Sequence, residues 1–490
     1  MTRSRWIVLS LLTVLYIALR LPWIGHLITW DEAMNLLTVR SLVSHGQDYY
    51  SSWFWRHPPL VPVLMMLVKP LQVGFAERSE LLMLGIGVLN LLALFVVTRQ
   101  TVGLLPALWA AFFYAVMPAA RFYDLWLKPD SPVVLFGILS ILFYVRGRPL
   151  ISGVLMGLAF LSKEMAVFYA GGLFLLWMIG GERREKGREL LLVAVVTVAV
   201  SAWWYFGFST TLQYFTAFVT DSSTQETDVW QWARPWHYFL SRLPVDLGWT
   251  GVLLCLAGMI TLWILYRKRQ VEASALWAVK VLIVGYLLMS LSRGKGTWWN
   301  ICLFPLLAVV QGIGAYGLIL ALRRLRETGN QVLTAGFQAA LVTAAAVFVL
   351  NVYHTDYDAY LRLQDEPLWW GTTASRETAQ VCNQLVNKED RLLITPMYYW
   401  EDPKPKPCPI FVCYLNEVGV LVRPNDINVT NFVDAVRQYK IDWAMVSPLP
   451  GVGEKALIEP LMRDYGLQPI LLRGGCIFKT DRLYQDASTE

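Results

Sequence analysis

WIVLSLLTVLYIALRL, residues Trp6–Leu21, is followed by Trp30-Asp31-Glu32 and then by His57-Pro58-Pro59-Leu60. The first run is apolar and close to the length that crosses a bilayer. Two adjacent carboxylates stand just beyond its end. A charge held beside lipid is costly and is retained where a function requires it. Arg3 and Arg5 precede the run, and Leu21-Pro22-Trp23 follows it in place of a small-residue cleavage site. The run therefore reads as a retained first helix rather than a removed leader.

Outward from this stretch the apolar pattern repeats. Further spans are expected at Glu80–Thr98, Leu104–Ala120, Ser131–Val145, Leu150–Leu161, Met165–Gly180, Leu190–Phe206, Gly248–Tyr266, Ser274–Ser292, Ile301–Leu322 and Val332–Leu350. With the first, that makes about eleven transmembrane helices, each near the bilayer length. Arg3 and Arg5, Arg99, Arg146 and Arg148, the run Glu182 to Arg188, Arg267-Lys268-Arg269, and Arg323-Arg324-Arg326 fall on alternate connections. Basic connections stay on the cytoplasmic side, so the N-terminus is expected inside and the C-terminal part outside.

Composition agrees. Of 490 residues, 56% are hydrophobic and 16% are charged, with 22 Trp. Soluble chains carry about 25% charged residues, and Trp collects at membrane interfaces. The net charge of +6 lies in short clusters between apolar spans. It serves topology, and no nucleic-acid partner is expected.

The outer connections differ in kind. The first, from Pro22 to about Ser79, holds an amphipathic segment, Asp31–His45, with Leu36, Val39 and Val43 at helical spacing. Val61–Val68 is apolar but too short to span. Both are expected as helices along the membrane surface. A second long outer connection, Gly207–Leu247, is rich in Trp and Tyr. From His354 the composition turns polar, with strands expected at Arg391–Thr395 and Asp442–Ser447 and a helix at Asn431–Tyr439 between them. Two domains follow: residues 1–353 in the membrane and a small extracytoplasmic α/β domain at 354–490. Cys255 and Cys302 lie in or beside apolar spans as packing residues. Cys382, Cys408, Cys413 and Cys476 fall in the outer domain, where a disulfide is expected, Cys408–Cys413 first.

Several residues can carry chemistry on the outer face. Asp31 and Glu32 supply carboxylates, although acids also favour a helix N-terminus. Asp130, in Leu127-Lys128-Pro129-Asp130, opens the fourth span, where an N-cap reads equally well. Asp124 lies in the same loop. Lys163 and Glu164 end a short apolar run, as a phosphate-binding cation or as members of an ion pair. Arg293-Gly294-Lys295-Gly296 sets two cations among glycines, which suits a phosphate, while snorkelling at a helix end is the other reading. Trp203, Trp204, Trp230, Trp232 and Trp236 could stack on a sugar or an isoprenoid, or form an interfacial belt. Nucleotide sugars are absent outside a membrane, so a transferase there draws on polyprenyl-phosphate sugars. It needs a proton-accepting carboxylate, cations for the leaving phosphate and an apolar groove. All three are present on one face.

Taken in order, these motifs resemble the protein O-mannosyltransferases and their relative, the aminoarabinose transferase that modifies lipid A. Asp31-Glu32 followed by His57-Pro58-Pro59-Leu60 looks like their first outer loop. Lys128-Pro129-Asp130 looks like their second acidic motif. Gly157 to Glu164 is similar to their glycine-leucine-alanine…lysine segment, and Arg293-Gly294-Lys295 through Pro305 resembles their late basic motif. The resemblance covers Trp6 to Leu322. It implies the GT-C fold, mostly helical and polytopic, and a metal-independent inverting transfer without cofactor. Two departures stand out. The C-terminal domain lacks the sugar-binding repeats of the eukaryotic enzymes, and His57 stands where the lipid A enzymes carry Lys before the two prolines.

The expectation is a hexosyl- or pentosyltransferase of the bacterial or archaeal cell membrane. Its partners are a polyprenyl-phosphate sugar donor, a lipid, glycan or protein acceptor, and membrane lipids. Asp31, with Glu32 and Asp130, forms the catalytic set. Lys163, Arg293 and Lys295 bind the donor phosphate, and His57, Asp124, Lys128 and Glu164 contact substrate. No metal is expected. A secondary transporter would show an internal repeat and charges inside its spans, and no repeat is visible. A membrane-anchored binding protein acting through its C-terminal domain is the remaining alternative.

Overall fold

The computed structural model describes residues 3–25, 30–45, 58–68, 75–179, 183–207, 235–291, 297–329, 331–365, 372–387, 389–394, 419–422, 429–446, 457–472 and 475–485. The chain forms two compact units: Met1–His26 with Phe54–Tyr360, and Leu27–Trp53 with Leu361–Glu490.

Among its described residues the first unit is a bundle of helices. Its helices are α1 (Arg3–Ala18), α3 (Leu60–Val68), α4 (Phe75–Thr101), α5 (Leu104–Val116), α6 (Pro118–Tyr123), α7 (Asp130–Val145), α8 (Pro149–Ser162), α9 (Val167–Ile179), α10 (Arg183–Gly207), α11 (Tyr238–Arg267), α12 (Trp277–Leu291), α13 (Phe304–Glu327) and α14 (Gln331–Asp365). Among the described residues, seven helices are long and apolar enough to cross a membrane and four shorter ones are apolar. Each falls on one of the spans expected from sequence. The reason is local: a helix satisfies its own backbone groups in lipid, so a continuous apolar run needs no distant partner to form it. Leu11, Leu191, Leu253, Ile260 and Leu287 point outward, which gives the bundle an apolar exterior suited to lipid.

Small residues let the inner helices meet. α13 packs against α5 and against α11. A Cβ on Gly312 would strike the backbone of Pro106 and Ala110, and one on Gly258 would strike the carbonyl of Val310. Without a hydrophobic drive between helices in lipid, such close backbone approach supplies much of the packing. α7 pairs with α8, α8 with α10, and α9 with α12.

The second unit contains α2 (Trp30–His45), α15 (Thr372–Leu385), α16 (Val429–Tyr439), α17 (Glu459–Tyr465) and α18 (Arg482–Gln485). Its five strands are β1 (Arg391–Ile394), β2 (Gly419–Val422), β3 (Trp443–Val446), β4 (Pro469–Leu472) and β5 (Gly475–Lys479), in the order β2-β1-β3-β5-β4. β1 runs parallel to β2 and β3, while β5 runs antiparallel to β3 and β4. α16 buries Phe432, Val433, Ala435 and Val436 with Leu393, Ala444 and Phe478 of the sheet. α2 differs from the expected surface helix: Glu32 to Val39 are all buried, so this stretch has no open polar face. Cys382 and Cys476 are buried and neither is joined in a disulfide, which corrects any disulfide through either. Burial pushes the Cys382 thiol up to about 12. Cys408 and Cys413 lie outside the described residues.

Candidate active site

Among the described residues of the helical unit, the buried carboxylates include Asp124, Asp130 and Asp246, each held in a polar cluster, and Glu80, which accepts from the Gly25 N–H. The first, Asp124, follows α6. Its Oδ2 accepts from Tyr16 Oη at 2.6 Å, Arg20 Nε at 3.1 Å and Arg20 Nη2 at 2.8 Å, and its Oδ1 accepts from Tyr114 Oη at 3.0 Å. Arg20 spends its remaining donors on the carbonyls of Tyr16, Ala115 and Tyr114. Its guanidinium also lies 3.5 Å from the centre of the Tyr16 ring. This is a closed arrangement that ties α1 to α5 and α6. Both oxygens of Asp124, a residue expected from sequence to contact substrate, are engaged within the bundle.

The second carboxylate is Asp130, in the first turn of α7. Pro129 occupies the N-cap, and Asp130 makes no capping bond there. Instead, Lys163 Nζ donates to both of its oxygens, at 2.9 and 3.1 Å. Both side chains are almost fully buried. Lys163 reaches inward because the helix breaks there: α8 ends at Ser162, Lys163 is extended (φ −163, ψ 150), and a short 3-10 turn begins at Glu164. Burial lowers an ammonium pKa, but the charge of Asp130, then that of Glu164, outweighs it and holds Lys163 above its ordinary value. Cys302 Sγ donates to Asp130 Oδ1 at 3.4 Å, and Tyr169 Oη donates to the Cys302 carbonyl at 2.8 Å. Lys128 is also buried, with its ammonium 4.2 Å from the Trp126 ring centre.

The third, Asp246, was not among the residues expected from sequence. It lies in α11 between Pro244 and Gly248, where the backbone leaves helical values (φ 71, ψ 159). Proline removes a helical hydrogen bond, and glycine alone takes such a φ without strain. Asn300 Nδ2 donates to Asp246 Oδ2 at 2.9 Å, and Arg242 Nη2 to Oδ1 at 3.3 Å. Asn300 and Cys302 share one 3-10 turn, Thr297–Leu303. That turn therefore holds the second and third carboxylates together. A buried acid beside Pro244 was the available signal, but an apolar window beginning at Gly248 excludes it.

The remaining expected residues fall elsewhere. Asp31 opens α2, and its side chain lies outside the described residues; Glu32 beside it is fully buried. His57, Arg293, Lys295, Trp230 and Trp232 also lie outside them. Glu164 is half-buried beside Lys163. Trp204 is buried, whereas Trp203 and Trp236 are exposed, as an interfacial belt requires.

Residues 55–291 match the model of Glycosyltransferase family 87. The chain is similar in fold to ArnT from Cupriavidus metallidurans in the apo state, with a TM-score of 0.64 and 16% identity over 98% of both chains. The same protein bound to undecaprenyl phosphate gives 0.60 and 16% over 97% of this chain and 98% of that one. The archaeal oligosaccharyltransferase AglB from Archaeoglobus fulgidus, in complex with an inhibitory peptide and a dolichol-phosphate, gives 0.57 and 13% over 91% and 69%. No curated protein matches the chain in sequence.

Proposed function

We propose that this chain, whose fold is similar to those of ArnT and AglB and whose residues 55–291 match Glycosyltransferase family 87, is a membrane-embedded glycosyltransferase of the GT-C superfamily that moves a sugar from a polyprenyl-phosphate donor to an acceptor outside the cell membrane. The observation that carries this is the buried Asp130–Lys163 pair. It sits at one end of α7, and Arg146 and Arg148 follow the other end. By the positive-inside rule this supports an outer position for the pair and a cytoplasmic N-terminus. Ionisable groups inside a membrane bundle mark a functional site. Two proteins of similar fold are bound to undecaprenyl phosphate or dolichol-phosphate, which supports the donor class.

An ammonium has three N–H groups, and Lys163 gives two directions to Asp130. The third is suited to a donor phosphate oxygen, with Arg293 and Lys295 as further cations. Asp130 then holds Lys163 in place, and Lys128 and Glu164 adjoin the pair in sequence. Asp31 accepts the proton of the acceptor hydroxyl as its oxygen bonds to the anomeric carbon. The bond from that carbon to the phosphate oxygen breaks, its electron pair leaves with the phosphate, and the configuration inverts. The cations stabilise the charge the phosphate gains. No step calls for a metal.

Asp31→Asn tests the base. Turnover is expected to fall about 10²- to 10⁴-fold while undecaprenyl-phosphate binding is kept. A folded variant that retains more than about a tenth of turnover removes Asp31 from that role and passes it to Glu32 or Asp130.

A further inference from the structure

Around Asp246 three side-chain atoms lack a hydrogen-bond partner within the described chain. Asn300 Oδ1, Arg242 Nε and Tyr286 Oη are all buried and have no hydrogen-bond partner among the described residues. Asn300 itself is 0% exposed. Tyr286 lies on α12, which packs against α11 and against the Thr297–Leu303 turn that carries Asn300. A buried polar atom without a partner is destabilising, so two such atoms on the side chains that bond Asp246, with a third on a helix packed against theirs, call for a polar partner.

We propose that Arg242, Asp246, Asn300 and Tyr286 form the subsite that reads the hydroxyls of the transferred sugar. The inference rests on the donor proposed above. The chemistry selects this occupant. Asn300 Oδ1 accepts, Arg242 Nε donates, and Tyr286 Oη does either, while a sugar hydroxyl both donates and accepts. A phosphate is disfavoured, because Asp246 is an anion and already neutralises Arg242. A metal cation gains little from one carboxylate paired to a guanidinium. Position agrees as well. Asn300 stands two residues before Cys302 on a turn that rises about 2 Å per residue, and Cys302 touches the Asp130–Lys163 pair. A phosphate at Lys163 and the sugar bonded to it would thus meet neighbouring residues of one turn. The break at Pro244 and Gly248 fits, since irregular backbone at membrane depth occurs where it lines a polar site.

The test uses the full chain in lipid nanodiscs. The probes are undecaprenyl phosphate and the polyprenyl-phosphate sugars extracted from the membranes of the source cell. Wild type is expected to bind the glycosylated lipid more tightly than the bare one. Tyr286→Phe, which deletes only an unpartnered hydroxyl, is expected to lose about 3- to 10-fold of that advantage. Its binding of undecaprenyl phosphate and its thermal stability should not fall. Asn300→Ala should lose more of the advantage. A wild type that binds neither lipid overturns the donor reading and this subsite with it. A wild type that binds undecaprenyl phosphate with no gain from the sugar, or a Tyr286→Phe that keeps the whole gain, overturns the subsite alone. That second outcome is the one expected if water alone fills the cluster.

Discussion

Asp124 and Asp246 are alike on paper: each is a carboxylate at most 5% exposed, each is paired to an arginine, and each lies in the helical unit. They differ in closure. Around Asp124 every strong donor has an acceptor, and both tyrosine hydroxyls point at the carboxylate. Around Asp246 a tyrosine, an asparagine and an arginine each keep an atom without a partner. A saturated buried ion pair is a clamp, whereas an unsaturated one is a socket. The Asp130–Lys163 pair lies between these extremes, with both carboxylate oxygens taken and one ammonium direction in hand.

The contrast can be broken by mutation. Arg20→Ala strands the Asp124 charge in the bundle. It should cost about 3–5 kcal/mol, read as a lowered unfolding temperature in detergent. Replacing both partners with apolar residues of similar volume should recover most of that loss. If single and double variants unfold alike, Asp124 is not a clamp. Lys163→Ala should reduce turnover roughly 10²- to 10³-fold by removing a donor to the developing phosphate charge. It should also weaken undecaprenyl-phosphate binding, a readout that a purely structural pair would leave alone.

Smaller effects sharpen the comparison. Tyr114→Phe deletes a made hydrogen bond and should destabilise by about 1 kcal/mol, whereas Tyr286→Phe deletes an unmade one and should not destabilise at all. Equal losses at the two tyrosines would erase the distinction between clamp and socket. Outside the bundle, Cys382 should react with a thiolate-specific reagent only on unfolding. Its raised pKa keeps it in the thiol form through neutral and mildly alkaline pH. Rapid labelling of the native protein at pH 8 would show that the site opens.

The apolar helices were legible because crossing a bilayer is a property of consecutive residues. The same holds for β1, β3 and α16, whose short apolar runs and helical spacing are local. Individual acids and bases at the helix ends were also legible, since Asp130 and Lys163 interrupt apolar runs. Their partners were not. Sequence offered Glu164 as the mate of Lys163, whereas the fold supplies Asp130 from another helix. Arg20 went unread because it closes the first apolar run, and Asp246 because a hydropathy window trims polar residues from a kinked helix.

Sequence alone thus determined which stretches form the apolar helices, which residue types stand at the ends of those helices, and that a small α/β part follows. Tertiary structure decided which charges cancel. Arg20 meets Asp124 across 104 positions, and Asn300 meets Asp246 across 54. Whether a buried carboxylate is a clamp or a socket depends on how many donors reach it through space. No span of neighbouring residues encodes that number, because hydrophobic length is additive along the chain while hydrogen-bond saturation is a property of the packed neighbourhood.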